Sequence, residues 1–502
     1  MMETKAWHEA AVLDSELTPR EDLEHLLFAR GYLLSRAPRP APADHWLTHK
    51  VGGWYLSRDP RLGASFIERD GRSLLLVGSV MDLRSQVSGA QVVAGLLKAW
   101  ETARSDLDEA LEWLAGRYVI LGQSAEGDFF QTDATGMLSA SYSAEHRMIA
   151  SHQNLLAETA GGLEYSPFGE PDWLRQNHAY TFPGMYTRFA GVYMVPANTE
   201  VNVRDFTIRR VGPFPSRPGQ PRAVASSVLH LMRRQHPFLS RSGGGPLVSL
   251  TAGLDSRITT AALRELVPET LFFTYKRHRD PKSVSDYDLQ IATRLAAHLG
   301  LNHRGYSVIP LTKSAPLEAL LERSTFVTHG RSVAASYLRE LPPDRLHVRS
   351  NLYEIARGFF RNREHLEVTA DLFARLLTSD IAPPRSVIEA FEEMAEATGI
   401  LEVDGYEPLD LFYWEHRMVS WFNKVLLESD IAHDTHILVN SRVILRMLLS
   451  VPLTDRRAGR VFDHIVEIAW PEAYDLPVNG KLRTLPASAQ VAAETGLPGM
   501  PG

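Results

Sequence analysis

The stretch SLTAGLDSR at 249–257 gathers three hydroxyls, two small residues, an acid and an arginine. It follows the apolar run PLVSL and precedes RITTAALREL, whose apolar spacing is helical, so residues 251–256 fall on a strand-to-helix turn. Open α/β sheets bind ligands at such carboxyl ends. Ala252 and Gly253 let backbone amides approach an anion, Thr251 and Ser256 add hydroxyl donors, and the helix N-terminus favours negative charge. A phosphate is the anion this chemistry suits. Leu250, where the strand stops, borders the ligand; Asp255 is positioned to hold Mg2+ against the phosphate. Arg257, in the first helical turn, could reach phosphate bidentately or point outward. No lysine follows the glycine, which separates this turn from the usual nucleoside-triphosphate loop. The plain alternative is a connector between a strand and a helix.

The elements that must position these residues come from a chain of 502 residues, enough for about two to four domains at roughly 150 residues each. Its 53 basic and 60 acidic residues are mixed along the chain, with a net charge of -7. Such a balance makes neither a nucleic-acid stripe nor a basic membrane face, and a small-molecule or peptide partner fits better. Cysteine is absent, which removes disulfides, thiolate metal sites and a cysteine nucleophile together. No apolar window approaches the roughly 18 residues of a membrane span, so a soluble cytoplasmic protein is expected.

Residues 46–158 carry short strand-like runs such as SLLLVGSV, RYVILGQ and GDFFQTD, interrupted by the helical AQVVAGLLKAWETA and by DLDEALEWLAG, which is expected to stop at Gly116. This pattern reads as layered α+β. A proline-rich, irregular stretch follows over 167–221, and a domain boundary is expected there, giving units 1–220 and 221–502. Beyond it, strand and helix alternate, which argues for a doubly wound parallel sheet, with a mainly helical region over 368–485.

The turn resembles the pyrophosphate loop of the N-type ATP pyrophosphatases, Ser-Gly-Gly-X-Asp-Ser: Thr251 stands for the serine, Ala252 for the first glycine, and Gly253, Asp255 and Ser256 match directly. Downstream, DLQIATRLAAHLGLNHRGY is similar to the helix after the second sheet strand in asparagine synthetase-type enzymes, through Asp288, Ala292, Ala296, Gly300 and His303. The stretches LLLVGSV, AWE, WLAGRYVIL, GDFFQTDATGMLSASYS and RMIASHQNLLAE resemble the glutaminase domain, of Ntn-hydrolase type, that precedes the synthetase domain in asparagine synthetases. That glutaminase uses a cysteine at the mature N-terminus, so its route to ammonia is excluded here. A synthetase half behind a silent glutaminase half is the layout of β-lactam synthetase and carbapenam synthetase, to which lasso-peptide cyclases are related.

The resemblance implies an ATP- and Mg2+-dependent, AMP-forming synthetase that adenylates a small-molecule or peptide carboxylate and lets an amine, expected to be of the same molecule, close the amide. It places adenine beside Phe273, Thr274 and Tyr275, of which Phe273 is equally readable as buried core. In HVRSNLYEIARGFFRNR, Glu354 keeps the family's acid-to-glycine spacing to Gly358 and becomes the second metal carboxylate beside Asp255. Tyr353 is the nearest candidate for the base that works on the attacking amine, or else a core tyrosine. Glu415 is its candidate partner acid, or half of a structural ion pair; Lys481 corresponds to a lysine that stabilises acyl transfer, or is solvated surface. The basic loop YKRHRDPK reads as solvated, and His298, His303, His433 and His436 lack metal spacing. An intermolecular ligase, a macrolactam-forming peptide cyclase and a nucleotide-binding scaffold without activity are the alternatives, and a homodimer is a possible assembly.

Overall fold

The computed structural model of the chain describes residues 4–11, 23–169, 181–241, 243–277, 284–312, 315–325, 330–343, 345–360, 363, 366–378 and 382–483. Two antiparallel sheets build the first half. One has seven strands, in the order Lys5–Glu9, Ala64–Arg69, Arg72–Asp82, Leu114–Gln123, Asp128–Thr132, Thr199–Asn202 and Thr207–Arg210. The other has six, among them Met148–Ala150, Tyr32–Ser35 and Trp54–Arg58.

Alternation along Arg72–Asp82 creates the layers, because successive side chains leave opposite faces of a strand. Leu75 and Val77 enter a cluster with Tyr32, Trp54 and Ile149 of the second sheet. Leu74 and Leu76 instead pack with Val93, Leu96 and Leu107, from the helices Ala90–Thr102 and Arg104–Glu112. The second of these helices stops before Gly116, which lies inside the strand Leu114–Gln123. There its φ is +128°, and a Cβ would come 2.2 Å from the Ser79 carbonyl oxygen. Close approach of the neighbouring strand, rather than helix termination, requires the glycine.

Past residue 220 the chain forms a five-stranded sheet in the order His303–Val308, Leu271–Arg277, Pro246–Ser249, Leu346–Val348 and Thr435–His436, with every pair parallel. Helices cover both faces: Val248 and Phe272 join a cluster with Ile258 and Leu295, while Leu247 and Phe273 join Val333 and Tyr337. Burial on both faces is why these strands read as apolar runs without alternation. The architecture is thus a layered α+β half followed by a doubly wound parallel sheet with a helical C-terminal part.

Buried polar contacts join the halves. Arg117, on the first sheet, makes two 2.8 Å contacts with the carboxylate of Asp430. Asn440 donates to the Gly116 carbonyl at 2.7 Å and to Asp133 at 3.0 Å. One apolar cluster also runs from Phe182 and Met194 into Val228 and Leu229. Among the described residues, no helix is long and apolar enough to cross a membrane.

Candidate active site

Pro246–Ser249 is the central strand, so the turn after it opens at the carboxyl edge with a strand on either side. A cleft of about 650 Å³ lies there, lined by residues of the turn and by the ends of both neighbouring strands. Of the residues singled out in the sequence, Leu250, Thr251, Gly253, Asp255, Ser256, Phe273, Thr274, Tyr275 and Glu354 line it together.

The turn is held by its own hydroxyls. Ser256 Oγ accepts from the Thr251 amide at 3.1 Å, and Thr251 Oγ1 accepts from the Gly253 amide at 3.1 Å. The Ala252 amide donates to Asp288 Oδ1 at 2.9 Å, which explains why an acid stands on the helix Val284–Leu299 at that point. Burial raises the Asp288 pKa, while the Ala252 amide opposes the shift. Gly253 brings no capping side chain to the helix Leu254–Ala262. The first amides of that helix therefore lack intrahelical acceptors and belong to residues that line the cleft. Such amides, next to a positive helix end, suit phosphate.

Arg257 does not reach toward phosphate. Its guanidinium is buried and donates to the carbonyls of Ala473 at 2.5 Å, Leu476 at 2.8 Å and Pro477 at 2.5 Å. Burial lowers its pKa to about 10. The segment it holds leads into a tight hairpin with Asn479 and Gly480 at φ +48° and +80°, the geometry that an Asn-Gly pair adopts most readily. The Asn479 amide then donates to the Ala252 carbonyl at 3.0 Å, and Asn479 lines the cleft. Lys481 closes this hairpin through backbone bonds with Val478 and is itself exposed. The hairpin meets the turn through Asn479, and Lys481 is not among the residues that line the cleft.

Asp255 and Glu354 converge on one cation. Arg357 lies 2.8 Å from Asp255 Oδ1 and also pairs with Glu354. Burial pushes the Asp255 carboxyl up to about 6, with Arg357 opposing the shift and Glu354 adding to it. Two carboxylates facing a polar cleft form an oxygen donor set that fits Mg2+, which takes one or two carboxylates and completes its shell with phosphate and water. Among the described residues no group of three or more His, Asp or Glu side chains could hold a metal by itself.

The second strand supplies the neighbouring wall. Thr274 Oγ1 donates to the Leu250 carbonyl at 2.6 Å; its single hydrogen is thereby used, so His303 Nε2 donates to it across 2.9 Å. Phe273 is fully buried yet borders the cleft, so its two readings, core and wall, hold together.

Ala252, Tyr353 and Glu415, like Arg257 and Lys481, are not among the residues that line the cleft. Tyr353 is fully buried, its hydroxyl 2.9 Å from Thr259 Oγ1 and its ring edge-on to Phe462. The reason is local: Leu352, at φ +72°, reverses the chain before the short helix Tyr353–Ala356 and leaves the preceding Arg349, Ser350 and Asn351 at the cleft instead. Glu415 is also buried, paired with both terminal nitrogens of Arg210 at 2.8 and 2.7 Å and accepting from Asn198 at 3.0 Å. It ties the helical region to the first half. The four histidines have structural partners: Asp475 for His298, Thr274 for His303, the Pro342 carbonyl for His433 and Gln235 for His436. In the basic loop, residues 278–282 lie outside the described residues.

Sequence reasoning missed Arg349, Asn351, Arg357, Tyr337 and Asn479 as residues of the cleft. Arg349 and Asn351 had a signal: LHV before them is a short apolar run, and residues just past a parallel strand share the edge with every other strand's end. The others reach the cleft from a short helix, a long helix and a distant hairpin.

No protein-family model matches the chain, and no curated protein matches it. Solved structures that align with it include the NH3-dependent NAD synthetase from Campylobacter jejuni subsp. jejuni, at 14% identity over 36% of this chain and 95% of that chain, with a TM-score of 0.20. The NMN synthetase from Francisella tularensis aligns at 13% identity over 53% of this chain and 99% of that one, TM-score 0.20. The glutamine phosphoribosylpyrophosphate amidotransferase from B. subtilis aligns at 9% identity over 69% and 75%, TM-score 0.22. Similarities at this level carry no argument, and the functional reading rests on the residues of the cleft.

Proposed function

We propose that the protein is an ATP-dependent, AMP-forming amide synthetase of the asparagine synthetase type. A substrate carboxylate oxygen would attack the α-phosphorus of ATP, expelling pyrophosphate, and an amine would then attack the acyl carbon, expelling AMP and losing its proton. The observation that carries this reading is the turn 251–256: helix amides without a cap and two hydroxyls open at the central strand's end into a cleft that also holds Asp255 and Glu354.

In this reading the first amides of the helix Leu254–Ala262 and Ser256 bind the leaving pyrophosphate, and Phe273, Thr274 and Tyr275 border the adenine. Asp255 and Glu354 would hold Mg2+, which when bound offsets the charge on the departing pyrophosphate. Arg357 keeps the two carboxylates together when no metal is present. Asn479 and Arg257 are positioning residues: Arg257 fixes the segment from which the Asn479 amide grips the loop. Lys481, two residues on, is proposed to approach the acyl group and stabilise charge developing on its oxygen. The amine is proposed to belong to the same molecule, giving a lactam or macrolactam; a second amine substrate is the alternative.

A specific observation favours a second reading. Arg357 already pairs with both proposed metal carboxylates, as it would in a nucleotide-binding scaffold that performs no chemistry. Acid-dependent exchange of labelled pyrophosphate into ATP separates the two. The synthetase reading predicts exchange that Asp255→Asn abolishes without loss of fold; Mg2+-dependent ATP binding with no exchange across a broad panel of acids would support the scaffold.

A further inference from the structure

Beside the nucleotide cleft lies a second, smaller chamber of about 150 Å³. The two share a border: Tyr275, Arg277, Tyr337, Arg349 and Asn351 line both. We infer that this chamber receives the side group of the carboxylate substrate, and that this group is an uncharged single aromatic ring or an apolar ring of similar size. The inference rests on the synthetase reading above and names the substrate class for it.

Beyond that border, three helical segments build the chamber's walls, the third being Asn423–Ser429. The helix Arg331–Glu340 contributes Val333, Ala334 and Tyr337. The π-helical segment Tyr413–Phe422 ends there with Trp421 and Phe422, and Val425 follows one turn later. A π-helix is uncommon, and such wide turns cluster at functional sites. Here the wide turn brings two consecutive aromatic residues to one chamber. Apart from the shared border, the walls are mostly aromatic and aliphatic, a lining that favours an aromatic guest through area and ring contacts. A volume near 150 Å³ is that of a cavity which accepts one six-membered ring.

Charge orients the guest. No Asp or Glu is among the described residues that line the chamber, whereas Arg277 and Arg349 both do. A cationic side group is therefore disfavoured, and a carboxylate is drawn to the mouth. Arg349 lies there with its guanidinium over the Phe422 ring at 5.5 Å and donates to Ser429 Oγ at 3.3 Å. Its planar fork suits a carboxylate. A carboxyl group held at Arg349 and Asn351 faces the nucleotide cleft, and its ring fills the chamber behind.

The test uses the intact protein and pyrophosphate exchange with phenylacetate, acetate, aspartate and indole-3-acetate. Phenylacetate is expected to exceed each of the others by about tenfold or more in kcat/KM, the range that a mismatch of a few carbons produces in an apolar pocket. Ala334→Leu, which fills the chamber, is expected to raise the KM for phenylacetate about tenfold while leaving the Kd for Mg-ATP, measured without acid, within about twofold. Val425→Ala, which enlarges it, is expected to admit indole-3-acetate. Preference for acetate or aspartate overturns the inference, and so does a loss of Mg-ATP affinity in Ala334→Leu, which would make the chamber the adenine's. If no acid supports exchange, the synthetase reading fails separately. Phenylacetate binding to the ATP-loaded protein, measured by calorimetry and lost in Ala334→Leu, would then still uphold the chamber's assignment, and its absence would refute it.

Discussion

Arg357 lies 2.8 Å from Asp255, so the acid proposed to hold a metal already has a cation of the protein's own beside it. The same guanidinium pairs with Glu354. A divalent ion must compete with Arg357 for both carboxylates. Arg357→Met is therefore expected to tighten Mn2+ binding in the absence of ATP, by about tenfold if roughly 1.4 kcal/mol of competition is removed. Electron paramagnetic resonance titration of free Mn2+ checks this, and unchanged affinity would separate the ion pair from the metal site.

The Asp255 carboxyl titrates near 6 instead of its ordinary 3.8, chiefly through burial. A carboxyl whose pKa is raised on folding binds its proton more tightly in the folded state than in the unfolded one. Stability relative to Asp255→Asn should therefore rise as pH falls from about 6 toward 4, and that gain should disappear as pH rises through 6. Mg-ATP binding is expected to have the opposite dependence, because the proposed metal site needs the carboxylate: affinity should fall as pH drops below about 6. Urea unfolding and calorimetric titration across this range check the two signs.

Arg257 donates to three main-chain carbonyls, on Ala473, Leu476 and Pro477. Its removal leaves these oxygens without their charged donor, a loss of about 2–4 kcal/mol. Arg257→Lys keeps the charge but cannot span three carbonyls with a fork, so it too is expected to be destabilised. Thermal unfolding of both variants, with ATP affinity measured below the transition, should show lower stability together with weaker binding, because the Asn479 hairpin loses its anchor.

Glu415 pairs with Arg210 across the junction of the two halves. Glu415→Gln breaks a largely buried pair and is expected to cost about 3 kcal/mol of stability. Pyrophosphate exchange per folded molecule should change little. A loss of exchange with stability retained would return Glu415 to the catalytic machinery.

Much of the architecture was legible in the sequence because it is written in local periodicity. The run PLVSL, a turn of small residues and a helical pattern determine the strand Pro246–Ser249 and the helix Leu254–Ala262 within about 20 residues of chain. The turn's internal bonds, from Thr251 to Ser256 and to Gly253, are likewise local. Roles set by distant partners were not legible. Arg257 meets carbonyls 216 to 220 positions away, and Glu415 meets Arg210 across 205 positions; neither distance leaves a trace in nearby sequence. Tyr353 takes the second of its two readings, a core tyrosine, for a conformational reason: a left-handed Leu352 turns its side chain from the cleft into the core.

The most direct measurement is the crystal structure of the intact protein with Mg2+ and a non-hydrolysable ATP analogue. The account predicts the β- and γ-phosphates on the amides of 254–256, with Asp255 and Glu354 at the metal and Arg357 moved from between them. A triphosphate bound elsewhere, with Arg357 still bridging both carboxylates and the turn making only its contacts to protein, would contradict it.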